Sequence, residues 1–425
     1  MTLLNNGGPE HEHHGEHDEH GEVQGDGDVG AMLRAALRAE LPAAQALRRE
    51  LHALPDLSGE EGPTLERVLR LLLPVGRAEH LAGTGAAVRV GGAGPAVAVR
   101  GEMDALPIAE RTGVPWAAAN GAMHACGHDV HMAAMVALAR AVARLDAAGV
   151  PVAPLLAVLQ PREETYPSGA LDVLRSGALE RHQVTAVIGA HVQPVLRQGT
   201  VSCTPGPVNA SSDEFHLTVR GAEGHAAYPH LTTDPVVTMA HVILAAQQLV
   251  SRVSDPMVPT VVTFGTVSAG TAPNAIPGEA VARGTLRTMS GSWRSELCER
   301  FVQVATDVAK AHGCSAEVEI LPGEPVLYND AALAGRAGAW LREHGRTVTE
   351  ELRSCGADDF AYYGSVVPSL MMFVGVDTAA GLHSPDFLPG EDAVAAVAES
   401  MLAGYLAAAS GARESLPAGA ARAAS

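Results

Sequence analysis

The chain has 425 residues, enough for two domains, and 47% of them are hydrophobic, which can fill sizeable cores although few are aromatic. Its formal net charge of −19 argues against nucleic acid and anionic membranes as partners, because both are themselves negatively charged. Five scattered cysteines fit reduced thiols better than a disulfide framework. No signal peptide and no apolar run of membrane-spanning length is visible, so we expect a cytoplasmic protein without membrane contact.

The N-terminal segment is of low complexity. Residues 7–30 consist largely of Gly, Glu and Asp with five histidines, which are His11, His13, His14, His17 and His20. Such a segment buries too little apolar surface to offset its chain entropy, so residues 1–30 are predicted to be a disordered acidic tail. A tail that binds metal loosely and hands it to a site is the functional alternative.

Order is predicted to begin near Ala31, where apolar residues recur at helical spacing until Pro55 ends the helix. Ser58 and Glu61 have the spacing of a capping box for a second helix through Leu73.

Two short strands, Val88–Val90 and Ala96–Val99, are separated by GGAG, a pattern typical of a hairpin. The second strand leads directly into RGEMDALP at Arg100–Pro107. Because strand ends in α/β sheets present side chains to ligands, Asp104 is predicted to orient a group of a site.

The run AMHACGHDVH at residues 122–131 is the densest group of chemically active side chains. It holds a thiol at Cys126, a carboxylate at Asp129 and three imidazoles, at His124, His128 and His131. Cys126 and His128 are two positions apart and can converge on one point, as ligands of a zinc-like ion would. A helix start that happens to carry polar residues is the plain alternative.

A strand, a polar strand end and a helix then follow one another three times, which predicts a mostly parallel α/β sheet. A helix over residues 130–148 is followed by the strand Leu155–Leu159, which runs into the pair Glu163–Glu164. After a helix at Ala170–Ser176, the strand Ala186–Ile188 leads to His191.

The pattern changes near residue 206. The elements become strand Asp213–Val219, helix Pro235–Val253, strands Val261–Val267 and Ala280–Leu286, helix Trp293–His312 and strand Ala316–Ile320. The order β-α-β-β-α-β is that of a ferredoxin-like unit. We therefore expect a discontinuous domain, residues 31–206 and 322–411, with residues 207–321 inserted, and a frayed tail at residues 412–425.

The returning segment supplies His383 after a strand at Leu370–Gly375, and then a closing helix at Glu391–Ala408. Candidate metal ligands thus follow successive strands, namely Cys126, His128, Glu164, His191 and His383. Five ligands exceed the needs of one four-coordinate structural zinc and indicate two ions. Any one of these histidines alone would more often be an ordinary polar residue, and their shared position at strand ends favours the metal site.

The neighbouring carboxylates Glu163 and Glu164 point in different directions. One can bind metal while the other faces a water molecule, as the general base of a hydrolase does. A solvated acidic loop is the alternative interpretation of the pair alone.

The sequence resembles the dimetal metallopeptidase-type amidohydrolases, the family of aminoacylases, hippurate hydrolases and auxin-conjugate hydrolases. The similarity covers about residues 46–408 through the runs RRELHALPDLSGEE, RGEMDALPI, MHACGHDVHMA, QPREE, GAHVQP, SSDEFHLTVRGAEGHAAYPH, GTAPNAIPGEA and GLHSPDF. The resemblance implies a zinc-peptidase-like catalytic domain with the five ligands above and Glu163 as base. It also implies that the insert is a lid and dimerisation domain, that His225 stabilises the oxyanion in the partner's site, and that Asn274, with Arg287, binds substrate.

Two positions depart from the family pattern. The Glu pair is followed by Thr165-Tyr166-Pro167 where relatives commonly have glycines, which stiffens a loop beside the base. Glu102 stands where an Asp is more usual, a conservative change.

The sequence therefore predicts a hydrolase with two divalent metal ions, zinc or else manganese or cobalt, that cleaves the amide of N-acyl amino acids. A dipeptidase or carboxypeptidase acting on small peptides is the alternative within the class. A cysteine hydrolase using Cys126 and a metal-binding carrier protein are the alternatives outside it. The expected partners are the small substrate and a second copy of the chain.

Overall fold

The computed structural model describes the backbone of residues 23–414 and the side chains of residues 29–411. Most of the tail predicted to be disordered lies outside these residues. Order was expected to begin near Ala31, and the first helix is described from Val23. Val29 packs against the core and Gly30 lies beside the indole of Trp340, and these contacts extend the helix beyond its apolar repeat.

Helices and strands alternate along the chain. The helices are α1 (Val23–Ala53), α2 (Gly62–Leu72), α3 (His128–Ala147), α4 (Gly169–Arg175), α5 (Ala178–Arg181), α6 (Pro235–Gln248), α7 (Gly291–Ala311), α8 (Ala331–Glu343) and α9 (Ala393–Glu414). The strands are β1 (Gly76–Leu81), β2 (Gly85–Val90), β3 (Ala96–Glu102), β4 (Leu155–Gln160), β5 (Val184–Gln193), β6 (Thr200–Ser202), β7 (Gly206–Asn209), β8 (Ser211–Arg220), β9 (Gly224–His225), β10 (Thr260–Ala269), β11 (Ala275–Ile276), β12 (Glu279–Thr288), β13 (Ser315–Pro322), β14 (Leu327–Asn329), β15 (Thr347–Thr349) and β16 (Ser369–Gly375). Helix α9 extends into the segment that was predicted to fray.

The larger sheet has the strand order β1-β2-β4-β3-β5-β16-β6-β15. Its central strands β4, β3, β5 and β16 are parallel, which confirms the α/β prediction for the middle of the sheet. The pairs β1–β2, β2–β4 and β16–β6 are antiparallel, so the whole sheet is mixed. The carboxyl ends of the parallel strands meet at one edge, and the candidate ligands follow them there.

The predicted hairpin between the strands around Val88 and Val97 was wrong. Strand β4 lies between β2 and β3 and pairs with both of them. The GGAG turn reverses the chain, but the apolar strand β4 takes the place in the sheet that a hairpin partner would occupy.

Helices cover both faces of the larger sheet. On strand β3, Val97 and Val99 face a core formed with α1, α3, α8 and α9, whereas Ala96 and Ala98 face a second core that includes residues of α4 and α5. Burial on both faces explains why these strands read as continuous apolar runs.

The capping box predicted from Ser58 and Glu61 is not formed. Glu61 precedes α2, but its carboxylate accepts hydrogen bonds from the backbone N–H groups of Gly59 and Arg162, at 2.8 and 2.9 Å. The Ser58 hydroxyl donates to Asp104, 2.7 Å away. Both side chains are used to tie the start of α2 to distant loops.

Residues 211–322 form a second sheet in the order β10-β12-β8-β13, with every pair antiparallel. Helices α6 and α7 pack on one face around Phe215 and Phe301. This is the β-α-β-β-α-β arrangement read from the sequence. A small ribbon of β9 and β11 extends from the insert.

Two helical stretches within the described residues have the length and composition of a membrane span. The window in α9, Ala393–Gly411, is 72% buried, as in the core helix of a folded domain. The other window, Pro235–Val253, comprises α6 and a following helical turn and is 28% buried. One or two such helices are weak indications of a membrane protein.

Candidate active site

A tight turn brings the sulfur of Cys126 and the imidazole of His128 to the carboxyl edge of the larger sheet. Gly127 has a φ of 87°, and a Cβ added there would lie 2.4 Å from the Val192 side chain. Only glycine accommodates both the left-handed backbone and this close approach. The turn therefore leads into α3 with Cys126 and His128 beside the end of β5.

His128 is oriented by a backbone contact. Its Nδ1 donates to the carbonyl oxygen of Asp104 at 2.8 Å, which leaves the lone pair on Nε2. The Nε2 atom is buried without a hydrogen-bond partner and lies 3.6 Å from Glu163 and 3.9 Å from Glu164. A buried acceptor without a partner is costly unless a cation binds it.

His191 and Cys126 face each other, with Nε2 and Sγ 3.3 Å apart. The Nδ1 of His191 donates to the carbonyl oxygen of Val192 at 2.7 Å, and burial, with the neighbouring His131, lowers the pKa of His191 to about 3. The imidazole is therefore neutral. Burial and the negative charge of Glu164 raise the pKa of the Cys126 thiol well above its usual range. Without a cation this thiol stays protonated.

His383 completes the group from the returning part of the chain. Its backbone has a φ of 61°, and its N–H donates to the carbonyl of Ala125 at 2.9 Å. Its Nε2 lies 3.3 Å from Glu164, whose contact raises the pKa of His383. A positive φ at a non-glycine residue is uncommon and concentrates at functional sites.

These donors form a group that suits divalent cations. The ligand atoms of Cys126, His128 and Glu164 lie within 4.8 Å of one another, and His128 also belongs to a second such group, with Glu102, His131 and His191. A thiolate, imidazoles and a carboxylate are ligands of zinc and related ions. The Nε2 of His128 has no hydrogen-bond partner, and the Oε1 of Glu164 has no hydrogen bond but lies 3.3 Å from His383 and 3.9 Å from His128. A bound ion would satisfy both atoms.

His131 is in the motif but is already fully hydrogen bonded. Its Nε2 accepts the N–H of Val192 at 3.0 Å, so its Nδ1 carries the proton and donates to Glu102 at 3.1 Å. His131 therefore supports the strand that carries His191 and has no lone pair left for a metal ion.

Glu163 lies next to the ligand group, with its side chain 12% exposed. Burial raises its pKa well above the usual range, and the nearby negative charges of Asp358 and Glu164 act in the same direction. The buried guanidinium of Arg100 opposes this effect. A carboxyl group with a raised pKa holds a proton more readily than an ordinary glutamate, as a general base and acid must.

Sequence reasoning missed the network behind Glu163. Arg100, fully buried, donates to Gln160 at 3.0 Å, to Asp358 at 3.2 Å and to Asp359 at 2.7 Å, and it also pairs with Glu102. Arg100 lies in the run RGEMD and the two aspartates lie in the run GADDF, and nothing in either run indicates that they meet.

A second buried network fixes the start of α3. Asp129 accepts hydrogen bonds from Arg48 and His52, both at 2.9 Å, and His52 also contacts Glu110 at 3.0 Å. Asp129 thus anchors α3 to α1. His124 is buried beside this network, and burial lowers its pKa to about 3.

Asp104 joins several parts of the site. Its Oδ2 accepts from the hydroxyl of Ser58 at 2.7 Å and from the N–H of Glu164 at 2.9 Å, while its carbonyl orients His128. The structure thus brings Asp104 together with two of the predicted ligands.

The three predicted residues of the insert lie elsewhere. His225 on β9 is exposed, and its Nδ1 accepts the N–H of Ala227 at 3.0 Å. The carbonyl of Asn274, on the facing segment, accepts the N–H of Ala226. Arg287 on β12 donates to the carbonyl of Cys355 at 3.0 Å. Within the described residues, no hydrogen bond joins His225 or Asn274 to the ligand group.

Comparison with known proteins identifies the family of the chain. The family model of peptidase family M20/M25/M40 matches residues 98–407. The chain belongs to this family. It is similar to an N-acetyl-L-cysteine deacetylase of Bacillus subtilis strain 168, with 35% identity over 82% of this chain and 84% of that protein. An N-acetyldiaminopimelate deacetylase of Exiguobacterium sibiricum is 32% identical over 82% of this chain and 94% of that protein.

A solved M20 structure resembles the whole fold. It is described as a dinuclear metal binding peptidase of Bacillus subtilis and superposes with a TM-score of 0.76 at 30% identity, over 87% of this chain and 98% of that chain. The predicted family, α/β fold and metal-binding hydrolase class are thereby confirmed. A pair of divalent metal ions is consistent with this dinuclear relative and with the two donor groups described above.

Proposed function

We propose that this protein hydrolyses the amide bond of N-acyl amino acids, with small acyl groups such as acetyl among its substrates. The observation that carries the proposal is the buried donor group of Cys126, His128 and Glu164 beside the protonatable carboxyl of Glu163. The deacetylases to which the chain is similar support the substrate class.

We assign the metal ions to Cys126, His128, Glu164, His191 and His383. Bound divalent ions supply Lewis acidity, which polarises a carbonyl and makes water a better nucleophile at neutral pH. Glu163 accepts the proton of the attacking water and donates it to the leaving amine nitrogen. Asp104 holds the backbone of Glu164 and the ring of His128 in place for this chemistry. The thiolate ligand favours zinc, with manganese and cobalt as the other candidates.

The insert has the properties of a lid that pairs with a second copy of the chain. Helix α6 exposes Val236, Val237 and Leu244, and β10 is an unpaired edge of its sheet. A two-fold dimer would cover this surface and that edge. We propose that His225 then reaches the partner subunit's site to stabilise the oxyanion, while Asn274 and Arg287 bind substrate.

A cysteine hydrolase is the second candidate, since His191 lies 3.3 Å from Cys126. A catalytic dyad needs a basic imidazole and an activated thiol. Here the pKa of His191 is low and that of Cys126 is high, both because of burial. A neutral imidazole that is a poor base and a protonated thiol therefore favour metal ligation over nucleophilic catalysis.

The test uses purified, metal-loaded protein and a panel of N-acetyl, N-benzoyl and longer N-acyl amino acids, with dipeptides as competitors. We expect hydrolysis of the N-acyl amino acids, loss of activity with a chelator and recovery with added metal. Activity that survives a chelator would reject the proposal, and preferred cleavage of dipeptides would make the protein a peptidase. The metal-carrier alternative requires the histidine tail, whereas the enzyme does not. Protein lacking residues 1–22 should therefore keep its activity.

Reduced thiols at all five cysteines agree with a cytoplasmic location.

A further inference from the structure

The loop that carries the base is attached to the connection between the two sheets. We call residues 161–169 the base loop and residues 322–326 the return hinge. Both ends of the base loop are fixed within the catalytic layer. The N–H of Arg162 donates to Glu61 at 2.9 Å, and the hydroxyl of Ser168 donates to Asp359 at 2.6 Å.

The middle of the base loop reaches the return hinge through Tyr166. Its hydroxyl donates to the carboxylate of Glu324. Glu324 is only 8% exposed, whereas Tyr166 as a whole residue is 63% exposed. Packing therefore contributes little to the position of Tyr166, and the hydroxyl contact is its specific attachment to the hinge. A hydrogen bond to a nearly buried carboxylate is among the stronger neutral-to-charged contacts.

The return hinge is closely packed at the same point. A Cβ added to Gly323 would lie 2.8 Å from the Tyr166 hydroxyl and 2.2 Å from the carbonyl oxygen of Ser212. The Gly323 carbonyl accepts from Tyr362 at 3.0 Å and from Arg294 of the insert at 2.8 Å. The two chain crossings between the sheets therefore touch each other and the base loop here.

We propose that Tyr166 is a positioning residue, which holds Glu163 at its working position by bonding the base loop to Glu324 of the return hinge. This inference rests on the role proposed for Glu163. The return hinge carries the chain from the insert back to the larger sheet. The contact therefore links the position of Glu163 to the orientation of the insert relative to that sheet. Residues Thr165–Pro167 stand where relatives commonly have glycines, and in this proposal Tyr166 has the specific role of bonding the base loop to Glu324.

The test compares Tyr166→Phe with Tyr362→Phe. Both changes remove one hydroxyl that contacts the return hinge, but only the first detaches the base loop. We expect Tyr166→Phe to lower kcat about tenfold with KM changed less than about twofold, because a displaced base affects the transition state more than binding. Tyr362→Phe should keep kcat within about twofold of the wild type. In Glu324→Gln the amide oxygen still accepts the hydrogen bond, so kcat should stay within about threefold. Glu324→Ala should match Tyr166→Phe, and the double variant should be no slower than either.

Hydrogen exchange supplies a second readout that needs no substrate. The amides of Ser212 and Gly323 are hydrogen bonded across the hinge at 3.0 and 3.3 Å, and both should exchange faster in Tyr166→Phe. An equal loss of kcat in Tyr362→Phe would show that hinge stability alone matters and would overturn the proposal. Unchanged kcat in Tyr166→Phe would overturn it as well, as would loss of bound metal in that variant. If the wild type hydrolyses no N-acyl amino acid, the proposed function fails, while faster exchange would still show that Tyr166 holds the hinge.

Discussion

The sulfur of Cys126 and the Nε2 atom of His191 lie 3.3 Å apart, although the two residues are separated by 65 positions in the chain. One precedes α3 and the other is near the end of β5. Their contact joins a protonated thiol to a neutral imidazole, a pair that gains little from being together in the absence of a cation. The contact supports the proposal that both residues are metal ligands.

Glu163→Gln should keep the metal content near that of the wild type and lower turnover by about 10²- to 10⁴-fold, because the proton acceptor is lost while the ligands remain. Metal analysis and steady-state kinetics on the same preparation check this result. Glu164→Gln is the matched control and should lose metal. If Glu163→Gln loses its metal and Glu164→Gln keeps it, the two roles are reversed.

Cys126→Ala should weaken metal binding, and added metal should partly restore activity because four proposed ligands remain. The raised pKa of Cys126 means that the metal-free thiol is protonated at neutral pH and must release its proton when it binds an ion. Calorimetry in buffers of different ionisation enthalpy should therefore find about one proton fewer released by the variant than by the wild type. Equal proton release would exclude Cys126 as a thiolate ligand. An acyl group trapped on Cys126 would support the cysteine mechanism instead.

His225→Ala should lower turnover while the metal content and the fold stay intact. A mixture of His225→Ala and Glu163→Gln proteins tests whether His225 acts in the partner subunit. If it does, each hybrid dimer contains one site with both groups, and activity should reappear to about half that of a wild-type dimer. No recovery after demonstrated subunit exchange would place the action of His225 within its own chain or remove it altogether.

Glu399 of α9 predicts a pH-dependent part of the stability. It accepts hydrogen bonds from Arg34 and Arg346, each at 2.7 Å, and these charges outweigh the effect of burial and hold its pKa below the usual value. A carboxyl group with a lowered pKa in the folded state stabilises it above its unfolded pKa of about 4.5, and this contribution is lost as the pH falls through the folded value.

Glu399→Gln should therefore cost about 1 kcal/mol of unfolding free energy at pH 7, since both arginines are partly solvated. Urea unfolding of both proteins at pH 7 and below pH 4 measures the difference, which should shrink at the lower pH. A difference that is constant with pH would mean that packing, not charge, accounts for the effect.

The sequence predicted that the proposed ligand residues lie close together, because each was placed at the end of an apolar strand and parallel strands bring their carboxyl ends together. Predictions that depended on local pairing were less successful. Ser58 and Glu61 have the spacing of a capping box, but Asp104 and Arg162 compete for their side chains. The hairpin prediction failed for the same reason. A short turn joins β2 to β3, but β4 lies between them in the sheet and pairs with both.

The Arg100 network could not be predicted because its partners are remote in sequence. Asp359 is 259 positions from Arg100, and the arginine is fully buried although its run reads as a polar strand end. A single sequence gives no indication that these charges neutralise one another. Such networks become visible only when the sheet order is known.

The division of the larger sheet also has a consequence for biosynthesis. Strand β5 ends at Gln193, but its parallel partner β16 begins at Ser369, after the whole insert. At the usual rate of about 5–20 residues per second, a ribosome needs roughly 9–35 seconds to make the intervening chain. During that time one edge of β5 has no strand to pair with and is open to association with other nascent chains. The insert folds from contiguous sequence and can therefore mature before β16 completes the sheet that carries the candidate site.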